Sequence, residues 1–94
     1  MADFSGHLRQ LVEKMLIQRG RRKASCRVYA PAGVTRTYSV ILEEAGVREQ
    51  LFIEVSHVER FAESGNEQFV HSEIRNAVRD LDRKVTRKKS ARER

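Results

Sequence analysis

The sequence predicts an α+β fold of two layers, in the order α-β-β-β-α, with a three-stranded antiparallel sheet and both helices on one face of the sheet. Three observations predict this fold. Apolar residues near each end of the chain recur at helical spacing. Between these segments, apolar residues occupy every second position, as in half-buried strands. Turn-forming residues divide this middle part into three strands, and 94 residues suffice for one small domain.

The first helix is predicted over residues 4–19. Asp3 or Ser5 can cap its start, and Gly20 is a suitable residue to end it. A basic linker, residues 19–23, follows. The apolar stripe of this helix consists of Phe4, Leu8, Leu11, Val12, Met15 and Leu16.

Three strands are predicted in the middle of the chain, each marked by apolar residues at alternate positions. They cover residues 25–30, 35–42 and 50–55, with turns at 31–33 and 43–46. Because the turns are short, neighbouring strands run in opposite directions and form an antiparallel meander.

The alternation also assigns the strand side chains to two faces of the sheet. Cys26, Tyr38 and Leu51 are among those on the face that the helices cover, where a cysteine is a small core residue. The opposite, open face is either solvated or covered by a partner. It carries Arg27, Tyr29, Thr37, Ser39, Phe52 and Glu54.

Two further helical segments are predicted after the strands. Ser56 and Glu59 match a capping box, which predicts a short helical turn over residues 57–62. Asn66 can cap the last helix, whose apolar stripe consists of Val70, Ile74, Ala77, Val78, Leu81 and Val85. We expect a single domain over residues 1–86. Residues 87–94 are predicted to form a basic C-terminal tail, either a fraying helix or a solvated arm.

Charge is distributed unevenly along the chain. There are 19 Lys and Arg residues against 13 Asp and Glu residues, a formal net charge of +6. Residues 1–23 and 83–94 are basic, whereas residues 24–82 carry more acidic than basic side chains. Such a separation of charge indicates a polyanionic partner.

The two basic segments are the predicted binding site. Cations at the end of a helix complement its dipole, but this explains only the first few charges of residues 83–94. A larger cluster is typical of a protein that neutralises nucleic-acid phosphates and releases their counterions. The predicted nucleic-acid-binding residues are Arg19, Arg21, Arg22, Lys23, Arg83, Lys84, Arg87, Lys88, Lys89, Arg92 and Arg94.

The relative position of the two basic segments is left open by the sequence. At one edge of the fold they form a single cationic surface, whereas at opposite ends they could bridge two polyanions. We expect nucleic acid as the partner, RNA before DNA, or a ribonucleoprotein. An acidic protein is a further alternative.

No sequence pattern predicts catalysis or cofactor binding. His7, His57 and His71 fall in separate elements, and no pair of His or Cys residues has metal-ligand spacing. The single cysteine, Cys26, excludes an internal disulfide and suits a reducing compartment. No apolar run approaches the length of a membrane span. We therefore expect a soluble, cytoplasmic, non-catalytic protein without cofactor or metal.

The open face suggests an alternative mode of action. Tyr29 and Phe52, with Arg27 nearby, could stack unpaired bases or form a homodimer interface. The second function class is a protein-interaction, assembly or inhibitor module that docks a partner through this face. The acidic middle of the chain offers such a module another docking surface.

Three families share parts of this pattern. The element order is similar to that of double-stranded-RNA-binding domains, although residues 66–73 are acidic where that family has a lysine-rich motif. The order and the basic end also resemble the Alu-RNA-binding subunits of the signal recognition particle. Residues 8–12 and 74–89 are similar to helices of ribosome-hibernation factors, a family that begins with a strand. These resemblances imply an RNA partner and do not establish membership of a family.

Overall fold

The computed structural model of the chain describes residues 3–65 and 67–92, and of residues 90–92 it describes only the backbone. The strands form one antiparallel sheet in the order β1-β2-β3. The α+β class and the three-stranded antiparallel sheet are therefore confirmed. The elements are α1 (Ser5–Gln18), β1 (Ser25–Tyr29), β2 (Thr37–Glu44), β3 (Val47–Glu54), α2 (Val55–Ser64) and α3 (Gln68–Arg92).

The hydrophobic core lies between the sheet and the helices. Tyr38, Val40 and Leu42, which alternate along β2, are buried in one cluster with apolar residues of all three helices. Both α1 and α3 therefore contribute to the core on this face of the sheet. The helix residues of the cluster are Leu8, Val12, Leu16, Val58, Phe61, Val70, Ile74, Ala77, Val78, Leu81 and Val85.

The helices α1 and α3 run in the same direction along the sheet. At the start of α1, the Phe4 amide donates to the hydroxyl of Tyr38, near the beginning of β2 (3.1 Å). After the end of α1, Arg19 contacts Asp82 of α3, and further along α3 Lys88 contacts the β2–β3 turn. Both helices therefore run from the end of the sheet where β2 begins, hereafter the far end, to the β2–β3 turn, hereafter the turn end.

The β2–β3 turn is tighter than predicted. Only Ala45 and Gly46 connect the strands, with φ values of 53° and 79°. Two consecutive residues with positive φ are typical of a type I′ hairpin turn, whose twist matches that of the strands. The predicted turn at residues 43–46 was therefore too long, because Glu43 and Glu44 continue β2 and pair with β3.

Helix α2 begins earlier than predicted, at Val55, which was expected to end the third strand. Its N-cap is Glu54, without a side-chain hydrogen bond, so the predicted Ser56–Glu59 capping box is wrong. The amide of Val55 instead donates to the carbonyl of Arg36 (2.9 Å). This backbone bond satisfies one of the free amides at the helix start.

The start of α3 is held by Glu67, whose carboxylate accepts hydrogen bonds from the amides of Phe69 (3.2 Å) and Val70 (2.8 Å). Burial alone raises the pKa of Glu67, but these two bonds outweigh it and lower the pKa below its usual range. The predicted cap, Asn66, lies outside the described residues. At 25 residues, α3 is about 37 Å long. It continues through residues 87–92, and the division into a domain of residues 1–86 and a tail stays a prediction.

Candidate nucleic-acid interface

Two arginines of the basic linker bind one carboxylate of α3. Arg21 Nε lies 2.6 Å from Asp82 Oδ1, and Arg19 Nε lies 3.3 Å from Asp82 Oδ2. Arg21 also reaches Glu44 at the end of β2, with 2.9 Å between Nη1 and Oε2. These ion pairs tie the linker after α1 to α3 and to the sheet. The side chain of Arg21, only 18% exposed, is therefore a structural clamp.

The ionisation of this network follows from its geometry. Burial alone raises the pKa of Asp82, but hydrogen bonds from Arg21 and Arg19 outweigh it and hold the pKa below its ordinary value. Burial likewise disfavours the charged guanidinium of Arg21, yet Asp82 and Glu44 raise its pKa above the usual value. Asp82 and Arg21 therefore remain charged at neutral pH.

Two lysines of α3 are also engaged with the sheet. Lys84 pairs with Glu49 of β3, and Lys88 Nζ donates to the carbonyl of Ala45 in the β2–β3 turn (2.6 Å). The C-terminal part of α3 is thus attached to the turn end by side chains that sequence analysis assigned to ligand binding.

The predicted binding residues therefore divide into two groups. Arg19, Arg21, Lys84 and Lys88 are engaged within the molecule. Within the described part of the chain, the others form no ion pair and are exposed. Arg94 lies outside the described residues, as does the side chain of Arg92. The exposed group, hereafter the cationic surface, consists of Arg22, Lys23, Arg83, Arg87 and Lys89.

Both basic segments lie at the turn end of the molecule. The contacts of Arg19 and Arg21 with Asp82 place the linker beside α3 at the residue that directly precedes Arg83. Of the two arrangements that the sequence left open, these contacts agree with the one in which both basic segments lie at one edge of the fold. Asp82, Glu44 and Glu49, which lie near this end, are occupied by internal cations.

Sequence analysis missed two arginines of α3. Arg75 and Arg79 precede Arg83 and Arg87 at intervals of four residues, and these four side chains are hereafter the arginine ladder. Residues four apart lie on the same side of a helix, where like charges destabilise it by about 0.2–0.5 kcal/mol per pair. Their regular spacing of four residues is the signal in the sequence that marks them.

An open groove separates α1 from α3 beside the ladder. It is lined by Met15, Gln18 and Arg19 on the α1 side and by Arg75 and Val78 on the α3 side. Arg75, the first residue of the ladder, therefore borders an apolar floor formed by Met15 and Val78.

The open face of the sheet carries the two aromatic side chains that sequence analysis singled out. Tyr29 and Phe52 lie in one cross-strand row on either side of Ser39, and they are 49% and 61% exposed. In the next row, Ile41 is buried although it faces away from the core, which sequence analysis did not anticipate. Arg27 borders this face and lies 3.5 Å from Glu43.

The candidate nucleophilic and metal-ligating residues are Cys26 and the three histidines, of which His57 and His71 both contact Glu67, at its carboxylate (3.7 Å) and its backbone carbonyl (2.9 Å) respectively. Burial raises the pKa of the Cys26 thiol to about 11, so it is protonated at neutral pH. His7, His57 and His71 lie on three helices, each with its ring against a phenylalanine. Among the described residues, no group of His, Cys, Asp or Glu side chains is arranged to hold a metal ion. None of the helices in these residues is long and apolar enough to span a membrane.

No protein-family model matches the chain, and no curated protein or solved structure is significantly similar to it. The fold and the interface together define a small α+β protein with one basic end, stabilised by internal ion pairs and carrying additional exposed cations.

Proposed function

We propose that this protein is a non-catalytic nucleic-acid-binding module that grips the phosphate backbone with its cationic surface. The observation that carries the proposal is the convergence of both basic segments at the turn end, where five cations stay exposed after the internal carboxylates are paired. We expect RNA, alone or within a ribonucleoprotein, as the ligand in preference to DNA, because the element order is similar to that of RNA-binding domains.

The physical basis is the release of counterions. Each phosphate neutralised by Lys or Arg contributes about −0.9 to the slope of log K against log salt for a duplex. If the five cations of the cationic surface each contact one phosphate, the slope is about −4.5. Phosphate contacts fix position without reading bases, so we expect weak dependence on sequence.

The test is fluorescence anisotropy of labelled RNA against the full chain between about 50 and about 200 mM salt. Arg83→Gln combined with Arg87→Gln should reduce the steepness of the slope by about 1.8, since two phosphate contacts are lost. The matched control is Arg36→Gln with Arg60→Gln, which removes two exposed cations at the far end. Affinity that does not change with salt would contradict the proposal.

The second candidate function is a protein-interaction, assembly or inhibitor module. The exposure of Tyr29 and Phe52 in one row of the open face favours it, because aromatic residues are enriched in protein interfaces. Co-purification from native lysate with and without nuclease separates the two functions. A protein partner that survives nuclease and deletion of residues 87–94, but is lost with Tyr29→Ser and Phe52→Ser, would establish this function instead.

A further inference from the structure

The arginine ladder has a defined geometry. Each interval of four residues on an α-helix rises about 6 Å and turns about 40°. The four arginines therefore extend over about 18 Å of α3 and wind through about 120°. Ile74, Leu81 and Val85 on the other side of the helix are buried in the core, so the ladder faces away from the sheet.

Contacts within the molecule do not account for the ladder. In the described part of the chain, the one ion pair of a ladder residue is that of Arg79 with Asp80, at 3.7 Å and with both side chains nearly half exposed. Arg75, Arg83 and Arg87 are exposed and form no ion pair there. Four like charges in succession oppose helix formation, which favours an external anion as their partner.

The regular rise of the ladder matches an anion whose charges are also regularly spaced. Neighbouring phosphates of one nucleic-acid strand are separated by a distance close to one interval of the ladder. A rigid helix cannot adapt to a flexible strand without ordering it, whereas a duplex presents its phosphates in a preset row. Pre-organisation on both sides reduces the entropic cost of binding.

The surroundings of the ladder also disfavour a single strand. Proteins that bind single strands stack the bases on aromatic side chains. The exposed rings of Tyr29 and Phe52 lie on the open face of the sheet, in the layer opposite α3. Phe69, at the start of α3, is stacked on His57 with 4.2 Å between the ring centroids. A duplex stacks its own bases and needs none of these rings.

We propose that the arginine ladder binds successive phosphates of one strand of a nucleic-acid duplex, with the cationic surface extending the contact at the turn end. This inference rests on the proposed function and specifies its ligand. It assigns Arg75 and Arg79 to the interface, and it predicts a preference for a duplex over the corresponding single strand.

The experiment compares the full chain with Arg75→Gln/Arg79→Gln and with Arg75→Lys/Arg79→Lys. The probes are a blunt RNA duplex of mixed sequence and one of its strands, titrated across the same salt range as above. We expect the wild type to bind the duplex at least tenfold more tightly. For the duplex, the slope of log K against log salt should be less steep by about 1.8 in the glutamine variant, whereas the lysine variant should have the slope of the wild type.

The control for lost charge is again Arg36→Gln/Arg60→Gln, and circular dichroism verifies that each variant is folded. If the wild type binds neither probe in a salt-dependent manner, the proposed function itself fails. Two results would overturn only the ladder inference, provided that the affinity of the wild type falls steeply with salt. One is a glutamine variant with the same salt slope as the control variant. The other is a single strand that binds as tightly as the duplex. Binding to polyglutamate in preference to both probes would assign the ladder to an acidic protein.

Discussion

Gly46 is the residue at which backbone conformation and surroundings both exclude a side chain. Its φ is +79°, and an added Cβ would lie 2.7 Å from Lys88 Nζ. Gly20 has the same φ of +79° but nothing within 4 Å of an added Cβ. Alanine at Gly20 therefore measures the free energy cost of the positive φ alone, and alanine at Gly46 measures that cost together with the cost of the contact with Lys88.

We expect Gly20→Ala to lower the free energy of unfolding by about 1–2 kcal/mol through conformational strain, and Gly46→Ala to lower it further. The additional loss arises because Lys88 must leave the carbonyl of Ala45. Urea unfolding measures both values, and the difference should vanish in a Lys88→Met background. Equal losses in the wild-type background would show that Lys88 does not restrict the turn.

Asp82 should make the free energy of unfolding depend on pH in the acidic range. Its pKa in the folded state lies below the ordinary value of 3.8. Its ion pairs with Arg21 and Arg19 therefore contribute stability above pH 3.8, and this contribution is lost as the pH falls through the lowered pKa. We expect Asp82→Asn to cost about 1–2 kcal/mol at pH 7 and less near pH 2, where the carboxyl is already protonated in the unfolded chain.

The control for this measurement is Asp80→Asn. Asp80 lies 3.7 Å from Arg79, and both side chains are nearly half exposed, so its loss should cost at most about 0.5 kcal/mol. Urea unfolding at both pH values gives the comparison. A cost of Asp82→Asn that is independent of pH would mean that the ion pairs do not stabilise the fold.

Individual residues were predicted well where burial decides their position and poorly where a distant partner does. The inward position of Cys26 follows from the alternation of β1, and the structure buries it. The pairing of Arg21 with Asp82 joins residues 61 positions apart. No local pattern marks such a pair, and Arg21 was therefore assigned to ligand binding instead of to the fold.

Helix α3 combines a stabilising face with a destabilising one. Its buried stripe holds the core together, whereas the arginine ladder places like charges four residues apart. Stability and binding should therefore respond in opposite directions to a change of charge at Arg83, one of the two ladder residues with a neighbour on either side.

We expect Arg83→Glu to raise the free energy of unfolding by about 0.5 kcal/mol, because the pairs with Arg79 and Arg87 become attractive while the pair with Asp80, three residues earlier, becomes repulsive. The same substitution should weaken RNA binding more than Arg83→Gln does, since it adds a charge that repels phosphate. Thermal unfolding and anisotropy on both variants provide the test. A variant that is both more stable and a tighter binder would exclude a role of the ladder in binding phosphate.

Periodicity predicted the existence of the elements better than their ends. The three strands were recognised, but the hairpin between β2 and β3 was expected to be longer, because Ala45 adopts a conformation that favours Gly or Asn. The start of α2 was missed because a backbone carbonyl, that of Arg36, satisfies the Val55 amide. Neither feature has a local signature in the sequence.

The molecule as a whole should fold without its last residues but bind less well. Removing residues 87–94 deletes the hydrogen bond from Lys88 to Ala45, which contributes about 0.5–1.5 kcal/mol. The core, whose last buried residue in the described part of the chain is Val85, remains intact. We expect a single cooperative unfolding transition and a large loss of RNA affinity.

A full-length variant with Lys88→Met distinguishes the two effects of this truncation. Its free energy of unfolding should fall by as much as in the truncated chain, because the same hydrogen bond is removed. It should keep most of the RNA affinity, because only one cation is replaced. Urea unfolding and anisotropy on both proteins test this. Truncation without any effect on RNA binding would contradict the placement of the interface at the turn end.

The relative position of the two basic segments was the part of the candidate site that sequence could not supply. It depends on the shared direction of α1 and α3, which is set by packing against the sheet and by the contacts of Asp82. A stripe of apolar residues indicates which side of a helix is buried. It carries no information about the direction in which that helix crosses the sheet.

The concentration of cations at the turn end gives the molecule a permanent electric dipole. Towards the far end, the exposed carboxylates of Glu59 and Glu63 offset the exposed cations of Arg36 and Arg60, and the longest dimension of the molecule is 50 Å. The field of a polyanion exerts a torque on such a dipole before contact, so the C-terminus of α3 should approach first. Encounters would then begin pre-aligned, and their rate should rise more steeply on lowering the ionic strength than for an evenly charged protein of equal net charge.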